Sequence, residues 1–353
     1  MPRTLFVFCT LGALLVACGT SVDSFERQAT AAQRAPILGG TTDDARTNVV
    51  AIFREPAGAS NAIFCSGSLI GPNLVLTAAH CAADIVSAGT GTACEDTDGR
   101  KADHTGTAGD PSRFSVVTTT DAYDTTAKAY AVTSVLTVPN ASELPNCGND
   151  IALLVLAEPI VSVTPFAPAL DTPPTQGAVF TGAGYGYDGA VDTDGTRRSR
   201  DGLVVTSVGE LRESAKLRAT ANDFIADIGP CGGDSGSPAI DAQNRVFGVM
   251  SRGQPTVCKS MLYTRIDPFA DWIRASARDA AKVGGYDTPA WAIAQVDGGS
   301  DGSTPAPAGD SSSCVSGGAH APSDASTPVV FGFVGLALVL ERRRARSIKP
   351  SRA

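Results

Sequence analysis

Basic residues are in deficit in this chain, 28 Lys and Arg against 36 Asp and Glu, for a net charge of −8 over 353 residues. A nucleic-acid binder normally presents a basic face, so nucleic acid is excluded as a partner. Long hydrophobic runs are lacking too. The two apolar stretches, Leu5 to Ala17 and Pro328 to Leu340, are thirteen residues each. Thirteen residues of helix cover about 20 Å, against roughly 30 Å of hydrocarbon. Aromatics make up only 6% of the chain, and histidines number three. Glycine is plentiful instead, at 37 residues, and small turn residues recur between the short runs "NVVAIF", "FSVVTTT", "AVTSVLTV", "IALLVL" and "VFGVM". Such runs, β-branched and bounded by turn signals, read as strands. One helical pattern precedes the C-terminal region, "DPFADWIRASARDAAKV". Many short strands with one late helix indicate an all-β barrel or sandwich, in a chain long enough for one large domain or two of ordinary size.

The ends of the chain carry targeting signals. Arg3 followed by the first apolar stretch reads as a secretory signal over residues 1–17. It ends in "LVAC", Leu15 to Cys18, which resembles a bacterial lipobox. That resemblance implies cleavage before Cys18 and lipid on its sulfur, and an ordinary signal peptide cut nearby is the alternative. Residues 18–36 then form the lipobox cysteine and a propeptide. At the other end, residues 282–327 are a linker rich in Ser, Gly, Asp and Pro, too poor in apolar surface to fold. Residues 328–340 are the short hydrophobic segment, and 341–353 a tail with Arg342, Arg343, Arg344 and Arg346. A cysteine (Cys314), a hydrophobic stretch and an arginine cluster in this order resemble the sorting tags of Gram-negative surface proteins, with a plain weak membrane anchor as the alternative. The expected location is outside the cytoplasm of a Gram-negative bacterium, either on the cell surface or outer membrane or secreted.

Export favours disulfides. Of nine cysteines, Cys9 leaves with the signal and Cys18 is the lipid candidate, so seven remain. An odd number leaves one unpaired or modified, and Cys314, in the linker, is the outlier.

Chemistry concentrates in three places. "CGGDSGSPAI", 231 to 240, is poor helix and poor strand, a tight turn with Ser235 near its apex. Gly232 and Gly233 would let a substrate approach the backbone, and the N–H groups of Gly233 and Ser235 could converge on one oxygen. A serine nucleophile needs a base. His320 is in the linker and His104 in a polar stretch read as a solvated loop. His80, in "VLTAAHCA" after an apolar run, is the candidate. The base needs an orienting carboxylate. Asp150 opens the buried run "NDIALLVL", whereas the other acids lie mostly in polar loops.

"TAAHC", "NDIALL" and "GDSGSP", in this order, resemble the trypsin–chymotrypsin family of serine proteases. "ILGG" at 37 to 40 resembles that family's mature N-terminus, "YTRI" at 263 to 266 its penultimate strand, and "DWIRA" at 271 to 275 its C-terminal helix. The resemblance implies a protease domain over 37–281 made of two six-stranded antiparallel β-barrels with a C-terminal helix and an active site between the barrels. It implies catalysis by His80, Asp150 and Ser235, an oxyanion hole from Gly233 and Ser235, and polypeptide substrates. It implies disulfides Cys65–Cys81 and Cys231–Cys258. Cys94 and Cys147 then remain as a third pair.

The primary pocket follows from the same resemblance. Gly229, six residues before Ser235, stands at its base and cannot select Arg or Lys. Ser251 and Gly253 belong to the segment that pairs with substrate, Ser251 also supporting Asp150. Met261 would partly fill an uncharged pocket suited to Ala, Val, Leu or Met at P1. Activation is implied by pairing of a new Ile37 ammonium with Asp234. Pro36 precedes the cut where the family usually has Arg or Lys, so the activating protease is unknown. No cofactor or metal is expected, with calcium as the alternative. "CEDTDG" and "VDTDG" space oxygen ligands as calcium loops do but lack the full pattern. A monomer is expected. The alternative function is a catalytically silent recognition or adhesion protein on the same scaffold.

Overall fold

The computed structural model describes residues 37, 40–55, 63–86, 104–142, 144–186, 195–214, 217–229, 232–254 and 259–293. The signal segment, Cys18, Cys94, Cys231, Cys258, Cys314, the acidic stretches at 94–99 and 191–194 and the C-terminal hydrophobic segment lie outside them.

The apolar runs become strands, and the strands close into two barrels. The first contains β1 (Val49–Arg54), β2 (Ile63–Gly71), β3 (Leu74–Thr77), β4 (Phe114–Val117), β5 (Tyr130–Thr137) and β6 (Ala152–Leu156). They pair in the order β1-β2-β3-β6-β5-β4, with β4 returning to β1. The second contains β7 (Val179–Gly184), β8 (Arg198–Val208), β9 (Asp223–Ile228), β10 (Pro238–Ile240), β11 (Arg245–Gln254) and β12 (Lys259–Arg265). Its order is β7-β8-β9-β12-β11-β10, with β10 returning to β7. The two orders are the same when counted from the first strand of each barrel. All of these pairings are antiparallel. Closure leaves neither barrel with a free edge.

Each barrel has its own core. The first is larger and centres on aliphatic strands: β6, "ALLVL", is buried along its whole length and shares a cluster with Ile273, Ala277 and Ala280 of the C-terminal helix. The second gathers four of the chain's few aromatics. Phe224 stacks on Tyr263 with centroids 4.9 Å apart, and Phe180 meets Phe224, Phe247 and Tyr263 edge-on. Gly248 makes room for them, since a Cβ there would sit 2.4 Å from Phe224 Cε1.

The described residues hold two α-helices. α1 (Ala79–Ala82) is one short turn after β3, and α2 (Ala270–Gly284) follows β12 and ends at Gly285, whose φ of 67° is left-handed. The folded part runs past the expected boundary at 281. α2 continues to Gly284, and the chain beyond stays packed to Ile293. Arg278 Nη1 donates to the Ala292 carbonyl at 2.8 Å, and Trp291 packs against the core. One tryptophan in a stretch read as linker supplies the apolar surface that holds it. His104 also departs from expectation: it starts the short strand His104–Ala108, paired with Ala83–Val86, instead of lying in a loop.

A buried arginine joins the barrels. Thr41–Thr42 pairs with β8 before the chain enters β1, so the N-terminal stretch touches both barrels. At that junction Arg197 is fully buried. Its Nε donates to the Asp43 carbonyl at 2.9 Å, and its Nη1 donates to Thr118 O at 2.8 Å, Val49 O at 3.3 Å and the Tyr185 hydroxyl at 2.7 Å. Tyr185 Oη donates to Thr119 O at 2.7 Å. Burial pushes this phenol up to about 12, against the opposing pull of Arg197, so it stays a donor. Arg197→Met would strand several buried carbonyls. The expected loss is about 3 kcal/mol or more, read as a lower urea midpoint with unchanged slope. A change within about 0.5 kcal/mol, the range of ordinary surface substitutions, would contradict this account of the junction.

Candidate active site

The local sequence around His80 explains its position. β3 ends at Thr77, Ala78 stays extended at φ −80° and ψ 148°, and α1 begins at once. The imidazole is thereby delivered at a strand end. A disulfide, Cys65–Cys81, fastens α1 to β2. Asp150 immediately precedes the buried run of β6 and is itself fully buried. Its carboxylate is shared among three donors. His80 N–H reaches Oδ1 at 2.9 Å, His80 Nδ1 reaches Oδ2 at 2.7 Å, and Ser251 Oγ donates to Oδ2 at 2.6 Å. The Nδ1 bond assigns the proton to that nitrogen and leaves Nε2 as the basic position. The imidazole keeps 20% of its surface exposed.

Opposed forces set the charge states. Burial pulls the His80 pKa down, but the charge and hydrogen bonds of Asp150 outweigh it and the net shift is upward from the usual imidazole value. Arg252 pulls in the same direction as burial. Burial pushes Asp150 up, and His80 and Ser251 together hold it below the usual carboxylate range.

Ser235 belongs to a turn seated on this assembly. Its carbonyl accepts the Ser66 N–H at 2.8 Å, and Cys81 Sγ lies 3.6 Å from the same oxygen. Gly233 and Gly236 take φ of 88° and 85°, left-handed values that favour glycine. A Cβ on Gly236 would lie 2.1 Å from Thr77 Oγ1, so a glycine is required where the turn meets β3. Among the described residues, no backbone bond uses the N–H of Gly233 or of Ser235. Ser66 ties the turn to the barrel junction: its Oγ accepts the Tyr185 N–H at 2.9 Å and donates to Gly233 O at 3.2 Å.

Asp234 points the other way, into the protein, and is fully buried. Its Oδ1 accepts the Gly186 N–H at 2.7 Å. Side chains at Gly184 or Gly186 would collide with it, at 2.3 and 2.2 Å. Ile37 is also fully buried and holds φ at 35°, a left-handed value for a β-branched residue.

Gly229, Gly253 and Met261 come together. A Cβ on Gly253 would lie 2.4 Å from Met261 Sδ, and one on Gly229 would lie 3.5 Å from both Met261 Cγ and Tyr263 Oη. Met261 is 1% exposed and occupies the space between the two glycines. Tyr263 Oη is buried and makes no hydrogen bond among the described residues. Burial drives its pKa well above the usual phenol value, and Asp234 adds to the rise. Cys147 is disulfide-bonded, and its proposed partner Cys94 lies outside the described residues. Cys231 and Cys258 also lie outside them. The sulfurs of Cys65 and Cys81 cluster with His80 within 4.8 Å, but in a disulfide they offer no thiolate to a metal.

Sequence reasoning missed Ser66, Tyr263 as an individual residue, and Arg252. Ser66 reads as an ordinary strand serine, and an arginine alternating with small residues reads as a solvent face. The side-chain partners of Ser66 and the carboxylate that pairs with Arg252 lie far away in the chain, so no local signal marks them.

Residues 39–273 match the family model described as Trypsin. Among solved structures the chain is similar to the scabies mite inactivated protease paralogue S-I1. The TM-score is 0.50 at 22% identity, covering 68% of this chain and 99% of that one. At that identity the likeness is one of fold.

The charge balance at His80 can be read directly by NMR. The imidazole is expected to titrate above about 6.5, the unperturbed value. Its contribution to stability is then complete below that pH and is lost as pH rises through the raised pKa. Asp150→Asn removes the upward pull while burial and Arg252 remain, so the midpoint should drop below the unperturbed value. A midpoint unchanged by Asp150→Asn would contradict the assignment.

Proposed function

Because the chain belongs to the trypsin family, we propose that it is an exported serine endopeptidase using His80, Asp150 and Ser235. The observation that carries this reading is the buried Asp150 carboxylate. It takes His80 Nδ1 at 2.7 Å and Ser251 Oγ at 2.6 Å beside the turn bearing Ser235.

In this reading, His80 Nε2 removes the proton from Ser235 Oγ as that oxygen forms a bond to the scissile carbonyl carbon. The carbonyl π electrons move to oxygen, and the N–H groups of Gly233 and Ser235 receive the oxyanion. Donors of this kind are worth about 10²–10³ in rate. The imidazolium, stabilised by Asp150, gives its proton to the departing amine nitrogen. Water then repeats the sequence on the acyl-enzyme, releases the carboxylic acid and returns Ser235 to its starting state.

The pocket reading is small, uncharged P1. Gly229 brings no carboxylate, and Met261 fills the space a long side chain would need. Selectivity should be loose, since a hydrophobic pocket discriminates by about 1–3 kcal/mol per methylene. Ser235→Ala should lower kcat/KM on an apolar peptide by about 10⁴-fold or more. Met261→Gly should gain activity on Phe and Tyr at P1. Faster cleavage after Arg than after any apolar residue would overturn the pocket reading. Retention of the biological effect by Ser235→Ala would favour the recognition alternative.

Activation is proposed to begin at Ile37. A left-handed φ at a β-branched residue costs on the order of 1–3 kcal/mol. A cut before Ile37 removes the preceding carbonyl and with it that constraint. The new α-ammonium is the cation assigned to buried Asp234, since a buried carboxylate favours one. Such a cut also separates the domain from Cys18, leaving only the C-terminal segment to tether it. The ammonium pKa should rise above about 7.7–8.0. Its contribution is complete below that value and lost as pH rises through the raised pKa, so activity falls on the alkaline side. N-terminal sequencing of active protein should return Ile37. Full activity in a chain that retains earlier residues would end this part of the account.

A further inference from the structure

A second charged pair lies one hydroxyl away from Asp150. Arg252 stands on β11 between Ser251 and Gly253, its side chain only 10% exposed. Nη2 donates to Asp223 Oδ2 at 2.7 Å and to the Arg218 carbonyl at 3.0 Å. Nη1 donates to Asp223 Oδ1 at 3.4 Å and to Ser251 Oγ at 3.3 Å. Asp223, on β9, is fully buried and also accepts the Thr220 N–H at 2.8 Å. The bonds therefore run in one chain: Asp223, Arg252, Ser251, Asp150, His80.

The hydroxyl of Ser251 carries one proton and can accept through its lone pairs. An N–H from Arg252 engages a lone pair, which leaves the proton for Asp150 Oδ2, 2.6 Å away. Without Arg252 that hydroxyl could rotate. We infer that Arg252 is a positioning residue of the Asp150–His80 pair: it orients the Ser251 hydroxyl onto the carboxylate and holds a positive charge one hydroxyl from it, with Asp223 as counter-charge. Its bearing on hydrolysis rests on the endopeptidase reading.

The charge has a direction of its own. A cation near the imidazole disfavours the imidazolium, and Arg252 acts on His80 in that sense. Among the described residues, the charged groups acting on His80 are Asp150, just ahead of β6, and Arg252 on β11. The Cys65–Cys81 disulfide between β2 and α1 does not titrate. Asp223 faces Arg252 from β9. Deleting Arg252 must therefore move His80 one way, and deleting Asp223 must move it the other.

The test is NMR titration of the His80 imidazole in the full chain carrying Ser235→Ala, with His104 and His320 as internal references. Because this readout needs no hydrolysis, it stands even if the chain cleaves nothing. Arg252→Gln is expected to raise the midpoint by about half a unit or more, and Asp223→Asn to lower it, as removal of nearby charges does. Arg252→Lys keeps the charge and should stay closer to the parent than Arg252→Gln. The midpoint is independent of yield. Should Arg252→Gln fail to fold, Asp223→Asn and Arg252→Lys still decide the matter. Shifts in one common direction, or none, would overturn the inference.

Discussion

The site depends on one buried carboxylate. Asp150 has no exposed surface, and such a group persists only if its oxygens are fully engaged. It is engaged by a backbone N–H, an imidazole and a hydroxyl, drawn from α1 and β11. α1 follows a strand of the first barrel, and β11 belongs to the second. Satisfying Asp150 therefore means docking the barrels in one arrangement, and the same bonds orient the imidazole. Stability of the interface and geometry of the site are one requirement.

The repeated strand order gives that requirement its frame. Each barrel closes in the same sequence, so neither brings a free edge to the junction. Arg197 occupies this junction and binds carbonyls of the N-terminal stretch and the first barrel together with Tyr185. From Tyr185 the contacts continue through Ser66 to the Gly233 carbonyl, and through the adjacent Gly186 to Asp234. The turn that bears Ser235 is thus held from both barrels. Arg252 adds a further constraint from the side of Ser251.

Much of this was legible in the sequence, for physical reasons. The runs around β1, β4, β5, β6 and β11 announce themselves because strands buried in barrels need contiguous β-branched or apolar residues. His80, Asp150 and the 231–240 turn stand out because each is a polar residue set against a buried run or in a stretch unable to form regular structure. Arg197, Ser66 and Arg252 were not legible, because the Asp43 carbonyl, the Gly233 carbonyl and the Asp223 carboxylate that engage them lie 154, 167 and 29 residues away. The end of the folded part was misplaced for a similar reason. Composition makes 286–293 look like linker, whereas Trp291 and Ala292 find apolar partners only once α2 is in place. Met261 is the intermediate case: the family resemblance singled it out, but only the structure shows how closely its side chain meets Gly253.

The central claim is that Asp150 and His80 make Ser235 a nucleophile. The most direct measurement treats the mature protein with a serine-directed fluorophosphonate and maps the adduct by peptide mass spectrometry. The account predicts one stoichiometric adduct on Ser235 among all the serines, abolished by His80→Ala and sharply slowed by Asp150→Asn. Absence of labelling in folded protein whose chain begins at Ile37, or an adduct on another serine, would contradict it.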